Sequence, residues 1–253
     1  MKIVFSRKGF DSSAGGAPSP IIEGRPVSLP IPTKRRSETT YGDIGLGEIV
    51  EQVTKGRLSR SSLCHLDPMF EAGRCAFGQT GTAQAHLRNQ DVGVGDVFVF
   101  FGLFANVNGS DRHHRIYGYF EVESVNDIGS APDAASQPTG FSRRHPHTID
   151  EWNPNNTIYL GPGYVAARAN DNLRLSRLGE QVSRWRVPRW LRTAGLSYHD
   201  KQDRWVGEDT LIVAARGQEF VSDVSDIPEA SHWLERLKAV LREGIEGRSS
   251  AHE

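Results

Sequence analysis

The chain opens on a short apolar stretch, Ile3-Val4-Phe5, that runs into Ser6-Arg7-Lys8-Gly9-Phe10-Asp11-Ser12-Ser13-Ala14-Gly15-Gly16. Arg7 and Lys8 are cations suited to a phosphate. Asp11 is a carboxylate able to serve as general base or nucleophile, and the Ser12 and Ser13 hydroxyls can bond a substrate. Gly15 and Gly16 allow a tight turn or a close backbone approach to a ligand. The same residues also suit plain turn chemistry, in which Asp and Ser side chains bond nearby backbone N–H groups.

A second grouping is His65-Leu66-Asp67-Pro68. Pro68 biases Asp67 toward extended backbone, and in an extended segment residues two apart share a face. A histidine beside a carboxylate can form an acid–base pair or contribute to a metal site. It can equally brace a loop, and no third ligand stands close by in sequence. His145-Pro146-His147 repeats the i, i+2 arrangement with two imidazoles but lacks the spacing of a zinc signature.

Gln79 and His86 flank the start of a helix expected from Thr82 to about Gln90, where Gly78 to Thr82 would present backbone N–H groups to an anion. No Gly-Lys-Ser or Gly-Lys-Thr follows, so an ATP-type phosphate loop is not supported. Arg174, Arg177, Arg184, Trp185, Arg186, Arg189, Trp190 and Arg192 form a cationic stretch. Arginine beside tryptophan offers phosphate forks and stacking faces for unpaired nucleotides; the bland alternative is core tryptophans with solvated arginines. Tyr198 and His199, then Arg216, Gln218 and Glu219, stand beside apolar segments where they can line a pocket or satisfy buried backbone.

These groups need elements to hold them. The strongest local signal is Val97 to Phe104, apolar on both faces, returning through Arg115 to Glu123 as a hairpin. Further strands are expected at Thr157 to Leu160 and Thr210 to Ala214, with extended segments at Ser19 to Ile22 and Val27 to Ile31 around a turn. Helices are expected at Ile44 to Lys55, capped by Asp43 and stopped by Gly56, and at Pro228 to Arg242, where Trp233, Leu234, Leu237, Val240 and Leu241 share a face. Residues 126–142 read as a surface loop.

Strands scattered among short helices predict an α+β fold, a mixed or antiparallel sheet with short helices. The Gly95-Asp96 turn and the hairpin behind it are similar to those of PUA-like β-barrels. One domain over residues 1–246, with a frayed tail at 247–253, accommodates the length of 253 residues.

A net charge of −1 excludes a protein that coats nucleic acid by bulk electrostatics. Cys64 and Cys75 are too few for a disulfide scaffold, and free thiols fit a reducing cytoplasm. With neither an apolar signal core nor an apolar run of about 18 residues, the expectation is a cytoplasmic protein with no membrane contact.

In sequence order, Arg7 to Ser13 with Gly15-Gly16 and Pro18-Ser19-Pro20, His65 to Pro68, Phe77-Gly78-Gln79, Ala85-His86-Leu87, Gly95 to Gly102, Tyr117-Gly118-Tyr119 and Arg216 to Phe220 resemble the third family of nucleotide-modification-associated domains. That resemblance spans nearly the whole chain. It implies a role in systems that modify bases in DNA, and it carries no catalytic assignment. Where the family often has a second carboxylate after the proline, this chain has Met69, which weakens a metal-carboxylate mechanism centred on Asp67.

Two functions follow as expectations. In the first, an enzyme acts on a nucleotide or modified base: Asp11, His65 and Asp67 do the chemistry, while Arg7, Lys8, Ser12, Ser13, Gln79, His86, His145, His147, Tyr198, His199, Arg216, Gln218 and Glu219 bind substrate. In the second, a non-catalytic reader holds a modified or flipped base, gripping the backbone through Arg184, Trp185, Arg186, Arg189 and Arg192. A small-molecule-binding domain is the third alternative. Nucleotide or DNA is the expected partner, and the sequence specifies neither cofactor nor metal.

Overall fold

The computed structural model describes residues 1–215 and 217–243. Arg216 and the tail expected at 247–253 lie outside the described residues.

The Val97–Asn106 strand is buried along all but its last residue, as its apolar composition requires. It pairs antiparallel with His113–Glu121, from Val97 opposite Glu121 to Phe104 opposite His113, with a bulge between Phe100 and Phe101. On its other side lies the opening strand, Lys2–Arg7, in parallel, with Ile3 opposite Val97. The opening strand in turn pairs antiparallel with Glu219–Asp223. Beyond the hairpin the sheet continues through Asn156–Val165, Arg74–Thr80 and Met69–Glu71.

The fold is therefore mixed α+β, a large mixed sheet with short helices. It is not a closed barrel: the path ends on Glu219–Asp223 at one side and Met69–Glu71 at the other, and no ladder among the described residues joins them. The hairpin that resembles a barrel motif is present, but its outer neighbour is a parallel strand from the chain start, not the next strand of a closing meander.

Side-chain alternation along the opening strand divides the core. Ile3 and Phe5, with Val97, Val99 and Phe101, pack against Trp185, Leu211 and the Pro228–Arg242 helix, whose Ala230, Leu234, Leu237 and Leu241 are buried. Val4, Phe98 and Phe100 face the other way, onto Phe77, Phe120, Tyr159 and Leu87. Each such fully buried side chain stabilises the fold by roughly 1.5–3 kcal/mol. A third cluster, Phe10 with Leu29, Tyr41, Val50 and Cys64, anchors the loop after the opening strand. Because Phe10 is wholly buried, edge-on to Tyr41 at 6.2 Å, the polar residues around it are held in place.

The helix expected from Ile44 runs Gly47–Thr54, with Lys55 in the left-handed conformation at its end. Asp43 does not cap it, because its Oδ2 accepts from the Thr40 N–H and hydroxyl instead. The helix expected from Thr82 runs Gly81–Asn89. Residues 126–142 are not all loop: Ser124–Asp127 adds an edge strand on Asn156–Val165, and Ala134–Ser136 forms a 3₁₀ turn closed by an Asp133–Ser136 capping box. The last helix spans Pro228–Arg242, as its periodicity predicts. Among the described residues no helix is long and apolar enough to cross a membrane.

Candidate functional site

Two segments far apart in sequence meet around one carboxylate. His65 ends the short Cys64–His65 strand, and the chain then bends, with the Asp67 N–H donating to the His65 carbonyl at 2.9 Å. This i, i+2 bond is a tight turn in place of the extended segment expected there. His145 and His147 come from the other segment, where His145 caps a 3₁₀ turn, Pro146–Thr148, with Pro146 at its first position. The two segments are brought together by the antiparallel pairing of Arg74–Thr80 with Asn156–Val165, which sets Ile158 opposite Gly78. Gly78 has a steric reason to be glycine. A Cβ there would stand 2.4 Å from His147 Cδ2 and 2.8 Å from His145 Cε1.

The hydrogen bonds fix which face each group presents. Asp67 Oδ1 accepts from the Gly78 N–H at 3.0 Å and lies 3.5 Å from His145 Nε2. His145 Nδ1 accepts from the His147 N–H at 3.2 Å, so its proton resides on Nε2, pointed at Asp67. Asn156 donates through Nδ2 to the His147 and Gly129 carbonyls, which leaves its Oδ1 to accept from His147 Nδ1 at 2.6 Å. The unprotonated Nε2 of His147 therefore faces Asp67 Oδ2, at 3.7 Å, and His65 Nε2 stands at the same distance from that oxygen. Trp152 stacks on the His147 ring at 4.1 Å with Arg36 over the indole at 4.3 Å, clamping the imidazole.

Burial opposes a charge on Asp67, yet the facing His145 and His65 imidazoles outweigh it and hold the carboxyl well below the usual carboxylate range. His147 is driven the other way: burial lowers it to about 3 against the partial opposition of Asp67, so the ring is neutral at physiological pH. One ligand atom each from His65, Asp67 and His147 lies within 4.8 Å of the others. Two imidazole nitrogens and a carboxylate oxygen are donors suited to a divalent transition metal.

This cluster forms one wall of a cavity of about 370 Å³. Arg7, Lys8, Asp11, Ser13, Gln79 and Gln218 also line it. Lys8 Nζ pairs with Glu219 Oε1 at 2.8 Å, and Gln79 Nε2 donates to the same oxygen at 2.7 Å. Arg7 donates to the Ala214 and Ala215 carbonyls. The Asp11 carboxylate is engaged in its own loop, where Oδ1 accepts from the Ser13 N–H, the Ser13 hydroxyl and the Ala14 N–H, each at 2.7 Å. This is the turn chemistry that the sequence left as an alternative.

Other candidates fall elsewhere. Ser12 lines a neighbouring cavity of about 510 Å³ that shares the Arg7 to Ser13 loop as a wall. Glu219 is buried behind Lys8 and Gln79, with Oε2 unpartnered among the described residues. His86 and Tyr198 form their own pair, ring centroids 4.5 Å apart, with His86 Nε2 bonded to the Ser197 hydroxyl. His199 uses both ring nitrogens to brace backbone, donating to the Ser197 carbonyl and accepting from the Ala214 N–H. Met69, in place of the second carboxylate, is buried beside Ala76 and Ile158.

The cationic stretch is likewise separate from this cavity. Trp185 is fully buried and donates to His114 Nδ1 at 3.0 Å, which leaves no ring face for a base. Arg184 pairs with Glu180 and Arg189 with Glu208, and Arg192 donates to the Gly207 carbonyl. Arg186 and Arg189 border a different, largely apolar cavity of about 700 Å³ beneath the last helix. Trp152 and Asn156 are site residues that sequence reading did not single out. Their signal, an aromatic and a strand-initiating amide within nine residues of His147, becomes legible only with the strand pairing known.

The model of nucleotide modification associated domain 3 matches residues 2–223, which is most of the chain and takes in every group of the cavity wall. The chain belongs to that family. The domain 3 match ends at the last strand of the sheet, before the Pro228–Arg242 helix. No curated protein and no solved structure matches the chain.

Proposed function

We propose that this domain 3 protein is an enzyme that takes a nucleotide, free or within DNA, into the cavity between the Arg7 to Ser13 loop and the His65–Asp67–His147 wall and modifies its base. One observation carries the reading: cations suited to a phosphate and a histidine–carboxylate cluster suited to chemistry border the same concavity. Its volume falls within the roughly 300–1,000 Å³ typical of small-molecule sites. In this reading Arg7 and Lys8 face the phosphate end, Gln79 and Gln218 bond the base or sugar, and His65, Asp67 and His147 act at the reacting end. Family membership supports the association with nucleotide modification. The separation of Trp185 and its neighbouring arginines from this cavity favours the enzyme over the reader.

The test is mass spectrometry of nucleosides digested from the DNA of cells expressing the wild-type chain or its Asp67→Asn variant together with the neighbouring genes of its locus. The expected result is an altered nucleoside in wild type that disappears with Asp67→Asn. A nucleoside profile identical with and without the wild-type protein overturns the reading.

A further inference from the structure

We infer that His65 Nε2, His147 Nε2 and Asp67 Oδ2 are the protein ligands of one divalent first-row transition metal ion, with its remaining coordination positions turned to the cavity. The inference deepens the preceding reading and depends on it only for what the ion acts on.

The surrounding residues apportion the lone pairs of the cluster. Asp67 has two oxygens with different duties. Oδ1 is turned to the protein, where it takes the Gly78 N–H and faces His145 Nε2. Oδ2 is turned to the two imidazoles of His65 and His147, each at 3.7 Å. At that distance neither imidazole makes a hydrogen bond to it. For His147 the tautomer is set by Asn156, so an unprotonated nitrogen confronts an anionic oxygen. Two lone pairs aimed at each other repel, and a cation between them converts that repulsion into coordination.

The dimensions agree. Donors each about 2.1 Å from a shared ion stand roughly 3–3.5 Å apart. The two 3.7 Å contacts to Asp67 Oδ2 are within a few tenths of an ångström of that spacing, and the His65 and His147 nitrogens, which lie within 4.8 Å of each other, have up to about 1.5 Å to close on a shared ion. The supporting residues are of the kind that orient metal ligands: an amide on the distal nitrogen of His147 and an N–H and an imidazole on the distal oxygen of Asp67. His145 is a positioning residue here. Its Nδ1 is committed to the His147 N–H, and its buried Nε2 has no hydrogen-bond partner of good geometry among the described residues.

Nitrogen–oxygen donor sets of this type take Zn²⁺, Fe²⁺, Mn²⁺ or Co²⁺ in preference to Mg²⁺ or Ca²⁺, which favour all-oxygen shells. Two neutral imidazoles and one carboxylate leave a divalent ion net positive, and three ligands leave positions for water or a substrate oxygen. Met69 is not needed as a ligand, because His147 supplies the third donor from across the strand pair.

Co²⁺ is the probe. The full chain is stripped with chelator, titrated with CoCl₂ and followed by ligand-field absorption and equilibrium dialysis. One ion per chain is expected. Asp67→Asn and His65→Gln should each weaken binding at least 100-fold, while His145→Phe should weaken it about 10–100-fold as an orienting residue does. His65 carries the test if the buried variants fail to fold, because its side chain is partly exposed. His232→Gln, on the exposed face of the last helix, should bind as wild type does.

Failure to bind one ion per chain, or undiminished binding by both Asp67→Asn and His65→Gln, overturns the assignment. The two readings separate cleanly. Stoichiometric binding with an unchanged nucleoside profile keeps the metal site and removes the enzyme reading; nucleoside modification by a chain that binds no ion does the reverse.

Discussion

Asp11 illustrates how one residue can meet a catalytic description while doing structural work. Its Oδ1 collects three donors from Ser13 and Ala14, so the carboxylate organises the loop that lines the cavity. Asparagine keeps an oxygen able to accept those bonds and loses only the charge. Asp11→Asn should therefore keep its unfolding free energy within about 0.5 kcal/mol of wild type, whereas Asp11→Ala should lose about 1 kcal/mol, as removal of a capping oxygen does. Denaturant titration of the two variants decides this. If the alanine variant is as stable as the asparagine one, the loop does not depend on the side chain. At this scale the sequence revealed residue types but not their division of labour. His65–Asp67 and His145–His147 are visible as pairs, yet the tautomers that make His147 an acceptor depend on Asn156, whose relevance no local spacing discloses.

Among the elements, the Pro228–Arg242 helix shows a periodic pattern converted directly into packing. Leu234 and Leu241 are essentially inaccessible, and the helix covers the sheet face that carries Ile3 and Phe5. Removing the Leu234 side chain leaves a cavity as well as losing its transfer free energy, so Leu234→Ala should cost about 2–5 kcal/mol. In urea the transition midpoint should fall with the slope unchanged, since the surface exposed on unfolding is nearly the same. A midpoint equal to wild type would show that the helix is not part of the cooperative core. This helix and the Val97–Glu121 hairpin were legible because their signals are local: a 3.6-residue period and an uninterrupted apolar run. The parallel placement of Lys2–Arg7 beside Val97–Asn106 was not, because it joins residues some ninety apart with no turn to announce it. The His65–Asp67–His147 wall depends on a contact of the same non-local kind, between Gly78 and the strand that follows His147.

Over the whole molecule the charge is nearly balanced at neutral pH, and as the pH falls from there the buried imidazoles are one source of lost stability. Burial, assisted by the charges of Arg7 and His113, pushes His114 down to about 3, and burial also lowers His199 below its ordinary value. An unfolded imidazole titrates near 6.5. Below that pH the unfolded chain takes up a proton that native His114 refuses until about pH 3, so stability is lost as pH falls across that interval. Each such group contributes a slope of up to about 1.4 kcal/mol per pH unit. Asparagine at position 114 can place an oxygen where Nδ1 now accepts the Trp185 indole N–H, and it does not titrate. Unfolding free energies measured in urea between pH 7 and pH 4 should therefore fall less steeply for His114→Asn than for wild type, with the two curves separating as the pH drops below 6.5. Parallel curves would mean that native His114 gains its proton as readily as the unfolded chain does, and that the acid limb of this fold is set by other groups.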